Sequence, residues 1–174
     1  MMGLLADIRE DAQYKSFKKI FAVVQERVDV ETSFKEVMGL HASRLSRSLS
    51  GSKRYSPQTL IDANLKDLAN RARMVEIRVK NDKQLSHLRE AMAAMKRHIR
   101  TEYAEDLREF STEGQRTAFT DRVLKSANEF LAEGESLLST IDMLIKDVDQ
   151  AGFSMRNNVE LLKLLSSSKG GQVV

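Results

Sequence analysis

Chemistry in a chain begins with its nucleophiles, bases and metal ligands, and here these are few. The sequence has three histidines, His41, His87 and His98, and no cysteine. Disulfides, thiolate metal sites and cysteine catalysis are therefore excluded. None of the histidines sits in an HExxH or Glu-x-x-His arrangement, and no GxGxxG, GxxxxGK[ST] or GxSxG motif occurs. Glu102, Glu105, Asp106 and Glu109 could put two carboxylates on one helix face. Metal sites in helical bundles pair such carboxylates with histidine at Glu-x-x-His spacing, so a solvated acidic face is the better reading. The expectation is a protein that is not an enzyme and holds no metal or other cofactor.

The densest functional signal is basic. Lys96-Arg97-His98-Ile99-Arg100-Thr101-Glu102-Tyr103 gathers three permanent positive charges within about a turn and a half of helix. Lys96 and Arg100 stand one turn apart and can project together, while Ile99 turns inward. Such a ridge can follow a phosphate backbone, and Tyr103 offers a ring on which a base could stack. A second basic cluster, Arg44, Arg47, Lys53 and Arg54, lies in a stretch from Val37 to Ile61 without a single acid. The alternative for both clusters is a charged helix surface paired with acids of a neighbouring helix.

The distribution of charge keeps both readings open. The net charge is +3. Residues 66–100 carry ten bases against four acids, and residues 101–150 carry twelve acids against five bases. A basic middle and an acidic third quarter imply a polyanionic partner, or each other as partners.

The elements that must position these residues read as helices throughout. There are 174 residues, 41 % hydrophobic and 30 % charged, with one proline. No run approaches the ~18 apolar residues of a membrane span. The start, Met1-Met2-Gly3-Leu4-Leu5-Ala6-Asp7, lacks the pattern of a signal peptide. The expected location is cytoplasmic, with no membrane partner. Lys15, Lys18 and Lys19 beside Phe17, Ile20 and Phe21 would suit an amphipathic membrane contact, but a core-facing helix explains them more simply.

A first helix is expected from about Leu4 to Met38, with room for an interruption. Ser46 to Pro57 is serine-rich and reads as a loop. Ser56-Pro57 then supplies a cap and a first helical residue. In the long helix that follows, Leu65, Leu68, Ala72, Val75 and Val79 step by three and four. A three-residue slip at Asp82 leads to Leu85, Leu88, Met92, Met95 and Ile99, which predicts a coiled-coil seam with one stammer. Val123, Ala127, Phe130, Gly134, Leu137, Ile141, Leu144 and Val148 form the cleanest repeat. Gly134 in that seam predicts close approach of a backbone or a large side chain. Gly152 is expected to stop this helix and Ser154 to cap a short last one.

The fold class expected is all-α: a long antiparallel helical hairpin with an N-terminal helical region and a short C-terminal oligomerisation helix. The division expected is 1–45 for the N-terminal region, 46–57 for the basic loop, 58–152 for the hairpin, 153–166 for the C-terminal helix and 167–174 for a tail. Phe153, Val159, Leu162 and Leu165 would be the oligomer contact, because the apolar faces exceed what one hairpin can bury.

Two stretches resemble the UvsY-type recombination mediators of tailed phages. One runs from Leu65 to about Leu107 and ends in the Lys96–Tyr103 cluster. The family's long helix closes on a similar Lys-x-Arg cluster before a Tyr pair, tied to DNA binding. Lys96 falls on its lysine, and Arg97 or His98 on its arginine. The other stretch, Val123 to about Leu165, carries Gly152-Phe153-Ser154, similar to the family's Gly-Phe turn and oligomerisation helix. Ala151 stands where the family has Arg before the Gly-Phe, Glu102 replaces one Tyr of the pair, and residues 1 to about 56 exceed a typical member. The resemblance implies a homo-oligomer that binds single-stranded DNA and loads a RecA-like recombinase, with the single-strand-binding protein as a candidate further partner. The competing expectation is a coiled-coil structural or adaptor protein of a virion or secretion complex, without nucleic acid.

Overall fold

The computed structural model describes residues 2–48 and 57–169, with side chains omitted for 2, 44–48, 57–60, 154–159 and 161–169. The described residues form seven helices and no strand: α1 (Met2–Glu10), α2 (Ala12–Arg27), α3 (Val30–Ser48), α4 (Pro57–Glu102), α5 (Ala104–Leu107), α6 (Glu113–Val123) and α7 (Lys125–Lys169). The all-α class and the long helices are as expected.

The N-terminal helical stretch is interrupted twice, giving three helices. Asp11 ends α1 and caps α2, its Oδ1 accepting the amides of Gln13 at 2.6 Å and Tyr14 at 3.3 Å. Val28 then leaves helical geometry (φ −112°, ψ 90°). Asp29 accepts the Thr32 amide at 2.8 Å, opening α3. Both breaks use an aspartate that prefers to bond a free N–H at a helix start rather than sit inside a turn. α3 continues to Ser48, past the expected loop boundary at 46.

The chain divides into two compact units. The first comprises residues 1–35 and 77–138, the second 36–76 and 139–174. In the first, Ile8, Phe17, Phe21, Val24 and Val28 pack with Leu85, Leu88, Met92, Met95 and Ile99 of α4. Leu107, Phe110, Phe119, Val123, Leu124, Ala127 and Leu138 complete that core. Phe21 meets Phe130 edge to face at 5.7 Å. Gly134 lies against the methyls of Leu85, and Lys96 reaches Asp121 at 2.8 Å. Those two pairs set α4 against α6 and the start of α7 in opposite chain order. Among the described residues of the second unit, Val37, Met74, Ile141, Leu144 and Val148 are the buried apolar ones.

The α4 seam is not the one expected. Leu65, Leu68 and Val79 are exposed at 60, 54 and 56 %. The buried line is Asn70, Met74, Ile77, Asn81, Leu85, Leu88, Met92, Met95 and Ile99. It steps by three and four without a stammer, because two of its members are asparagines. Asn81 Nδ2 donates to Ser33 Oγ at 3.2 Å within the first unit. Asn70 Nδ2 donates to Leu40 O at 3.2 Å and Ser43 Oγ at 3.1 Å within the second. A paired amide can take a core position that an apolar-only pattern assigns elsewhere.

The second repeat holds. Val123, Ala127, Gly134, Leu137, Ile141, Leu144 and Val148 are buried and Phe130 is half-buried. No separate helix starts at Ser154. α7 runs through Gly152 to Lys169, and no described glycine adopts a positive φ. A glycine inside a helix costs about 1 kcal/mol of propensity, which a helix this long absorbs.

Candidate nucleic-acid interface

The end of α4 in the first unit is held by one carboxylate. Asp11 Oδ2 accepts from His98 Nε2 at 3.0 Å and from Tyr103 Oη at 3.0 Å. Its Oδ1 caps α2. The donors hold the Asp11 carboxyl down at about 2, His98 contributing most. Burial, and then the bond to Asp11, pushes the Tyr103 hydroxyl above its ordinary value. The His98 and Tyr103 rings meet edge to face at 6.4 Å. His98 and Tyr103 thus tie the end of α4 to the α1–α2 junction, and both polar groups are engaged there.

The predicted ridge divides. Lys96 pairs with Asp121 at 2.8 Å. Arg100 pairs with Glu113 at 3.4 Å and reaches Thr117 Oγ1 at 3.3 Å. Only Arg97 of the three is exposed and in no ion pair among the described residues. The basic helix and the acidic stretch meet again within this unit at Arg89 and Glu135, 3.1 Å apart. These pairs are exposed: the side chains of Lys96 and Asp121 retain 38 and 45 % of their accessible surface, those of Arg100 and Glu113 52 and 67 %. Exposed pairs contribute about 0–1 kcal/mol each, so a phosphate can replace the carboxylate at little cost.

Within the first unit, the α4 cations that form no ion pair among the described residues lie on a neighbouring stripe. Lys80, Lys83, His87, Glu90, Ala94 and Arg97 follow one another by three and four on α4, all exposed. They face away from the buried line through Leu85, Leu88, Met92, Met95 and Ile99. Lys80, Lys83 and Arg97 take part in no ion pair among the described residues. From Lys80 to Arg97 this stripe extends about 25 Å at 1.5 Å per residue. Sequence reading missed it because the charges are spread over five turns, with no local cluster to attract notice.

The other expected contacts lie beyond description. Lys53 and Arg54 are outside the described residues, as are the side chains of Arg44 and Arg47. The side chains of Val159, Leu162 and Leu165 are likewise outside, while Phe153 is 65 % exposed. Among the described residues no group of three or more histidines and carboxylates is gathered where it could hold a metal ion. No helix among them is long and apolar enough to cross a membrane. Comparison of the chain with known protein families, with curated proteins and with solved structures finds no match.

Proposed function

We propose that the protein binds single-stranded DNA through the outer face of α4 and, as a homo-oligomer, loads a RecA-like recombinase onto it. The observation that carries the binding is the stripe of Lys80, Lys83, His87 and Arg97, exposed, with Glu90 as the acid between its ends. Lys96 and Arg100 border it, and their carboxylate partners are half in water. A helix studded with cations in this way neutralises phosphates without reading bases. Repeated copies would add weak contacts by avidity. The recombinase and the single-strand-binding protein as partners rest on the resemblance of Leu65–Leu107 and Val123–Leu165 to the UvsY-type mediators.

One observation favours a second reading. Lys96–Asp121, Arg100–Glu113 and Arg89–Glu135 join the basic block to the acidic one. A coiled-coil adaptor with no nucleic acid would need nothing more from these charges.

Fluorescence anisotropy of a labelled single-stranded oligonucleotide, at low and moderate salt with duplex as competitor, separates the two. Salt-sensitive binding that favours the single strand, and that Lys80→Glu/Lys83→Glu/Arg97→Glu abolishes, supports the mediator. No binding at low salt leaves the adaptor.

A further inference from the structure

One helix of the second unit has two apolar sides. The buried side of α4 passes through Asn70 and Met74. At 3.6 residues per turn, Ile61, Leu65, Leu68, Ala72 and Val75 fall on the opposite side. Ile61, Leu65 and Leu68 are 52, 60 and 54 % exposed. Ala72 is exposed and Val75 half-buried. These residues alternate by four and three, which is the period of a coiled-coil seam and not that of a scattered surface. A contiguous apolar line of this kind marks an interaction face.

We propose that this stripe is the seam of a parallel, in-register two-stranded coiled coil between two copies of the chain. The seam is self-complementary, since Leu65 and Ala72 take the a positions and Ile61, Leu68 and Val75 the d positions. The flanking charges select the second copy and its direction. In the parallel alignment Arg71 at g faces Glu76 at e of the partner helix, an attractive pair. An antiparallel alignment covering the whole stripe would set Asp62 against Glu76 and Arg71 against Arg71, both repulsive. The charges have capacity left for that contact. Arg71 engages Asp149 through Nε at 2.6 Å and Nη2 at 3.1 Å, leaving Nη1. Glu76 accepts from Arg73 through Oε2, leaving Oε1. The helix is already folded within its own unit, so association does not bear the cost of ordering it. This dimer is independent of nucleic-acid binding, and it assigns self-association to α4 where the sequence pointed to Phe153, Val159, Leu162 and Leu165.

The absence of native cysteine makes a direct test available. In the parallel dimer position 65 meets its own copy, so Leu65→Cys should form a covalent dimer under mild oxidation at micromolar concentration. Met143→Cys, exposed elsewhere on the same unit, should not. Sedimentation velocity should show the wild type as a dimer. Leu65→Asp/Leu68→Asp should raise the dissociation constant at least a hundredfold with the helical circular dichroism retained. Should that variant lose helicity, Glu76→Arg carries the test: it should weaken the dimer about tenfold, and Arg71→Glu/Glu76→Arg should restore it. A wild type that stays monomeric, or a folded Leu65→Asp/Leu68→Asp variant that keeps the wild-type mass, overturns the proposal. Crosslinking by Leu65→Cys/Val75→Cys without crosslinking by Leu65→Cys alone overturns the parallel register.

Discussion

Asp11 and His98, 87 positions apart in the chain, are joined by a 3.0 Å hydrogen bond on the same carboxylate that caps α2. The ionised form of Asp11 is the one the fold favours, with its carboxyl lowered from 3.8 to about 2. A depressed carboxylate contributes stability that is present above its unfolded value and lost as pH falls through its folded one. Asp11→Asn keeps a capping oxygen but loses the charge, and should cost about 2 kcal/mol at neutral pH. The gap between wild type and variant should close as pH falls from about 4 to about 2. Urea melts across that range test this; a gap independent of pH would mean the charge is not what matters.

Gly134 faces a fully buried Leu85. A Cβ placed there would lie 2.7 Å from both Leu85 methyls. Gly134→Ala gains about 1 kcal/mol of helix propensity, but overpacking costs about 1–3 kcal/mol. The expected net loss is about 1 kcal/mol, and Gly134→Val should lose more. Combining Gly134→Ala with Leu85→Ala should give a favourable coupling in a double-mutant cycle. Additive effects would show that the two residues do not share the space.

Gly152 behaves in the opposite way. Nothing lies within 4 Å of a Cβ built on it, and the same holds for Gly39. Both sit inside helices without positive φ. Gly152→Ala and Gly39→Ala should each stabilise by about 0.5–1 kcal/mol. A helix stop at Gly152 would instead make the alanine destabilising, so the sign of the shift in a thermal melt decides the matter.

Asn81 is 2 % exposed, with Ser33 Oγ as its hydrogen-bond partner. Asn81→Asp places a charge in the first unit's interior and should lower stability by more than about 2 kcal/mol at pH 7. The penalty should shrink on acidification, as the new carboxyl takes up a proton. Equal stability of the two proteins at pH 7 would place Asn81 in contact with water.

The outer stripe of α4 has a quantitative signature. Each phosphate contact to a single strand contributes about 0.7 to the slope of log affinity against log salt. Lys80→Ala/Lys83→Ala/Arg97→Ala should lower that slope by about 2. Lys96→Ala/Arg100→Ala should change it less, because those side chains begin paired with Asp121 and Glu113. A larger effect from the second pair would return the site to the cluster that the sequence singles out.

Much of this was legible from residue order. The helical class and the seam from Val123 to Val148 follow from local periodicity. Gly134 announced its need for a close neighbour, and the neighbour is Leu85. What failed were readings that treat polarity as exposure. Asn70 and Asn81 are core residues because Ser33, Leu40 and Ser43 satisfy them, and those partners lie 27 to 48 positions away. For Lys96 and Arg100 the sequence left a phosphate ridge and pairing with a neighbouring helix both open, because the acids they meet, Asp121 and Glu113, belong to α6.

Sequence alone therefore determined the helical class and the long helical stretches, though not where each helix starts and stops, since backbone propensity and a 3.6-residue period act over a few neighbouring residues. It also determined that the charge is arranged in blocks. Only the tertiary structure decided which side of α4 is buried, which cations are neutralised and which apolar stripe is left facing water. Those outcomes depend on hydrogen bonds and ion pairs between residues remote in the chain, whose energies exist only once the helices have met.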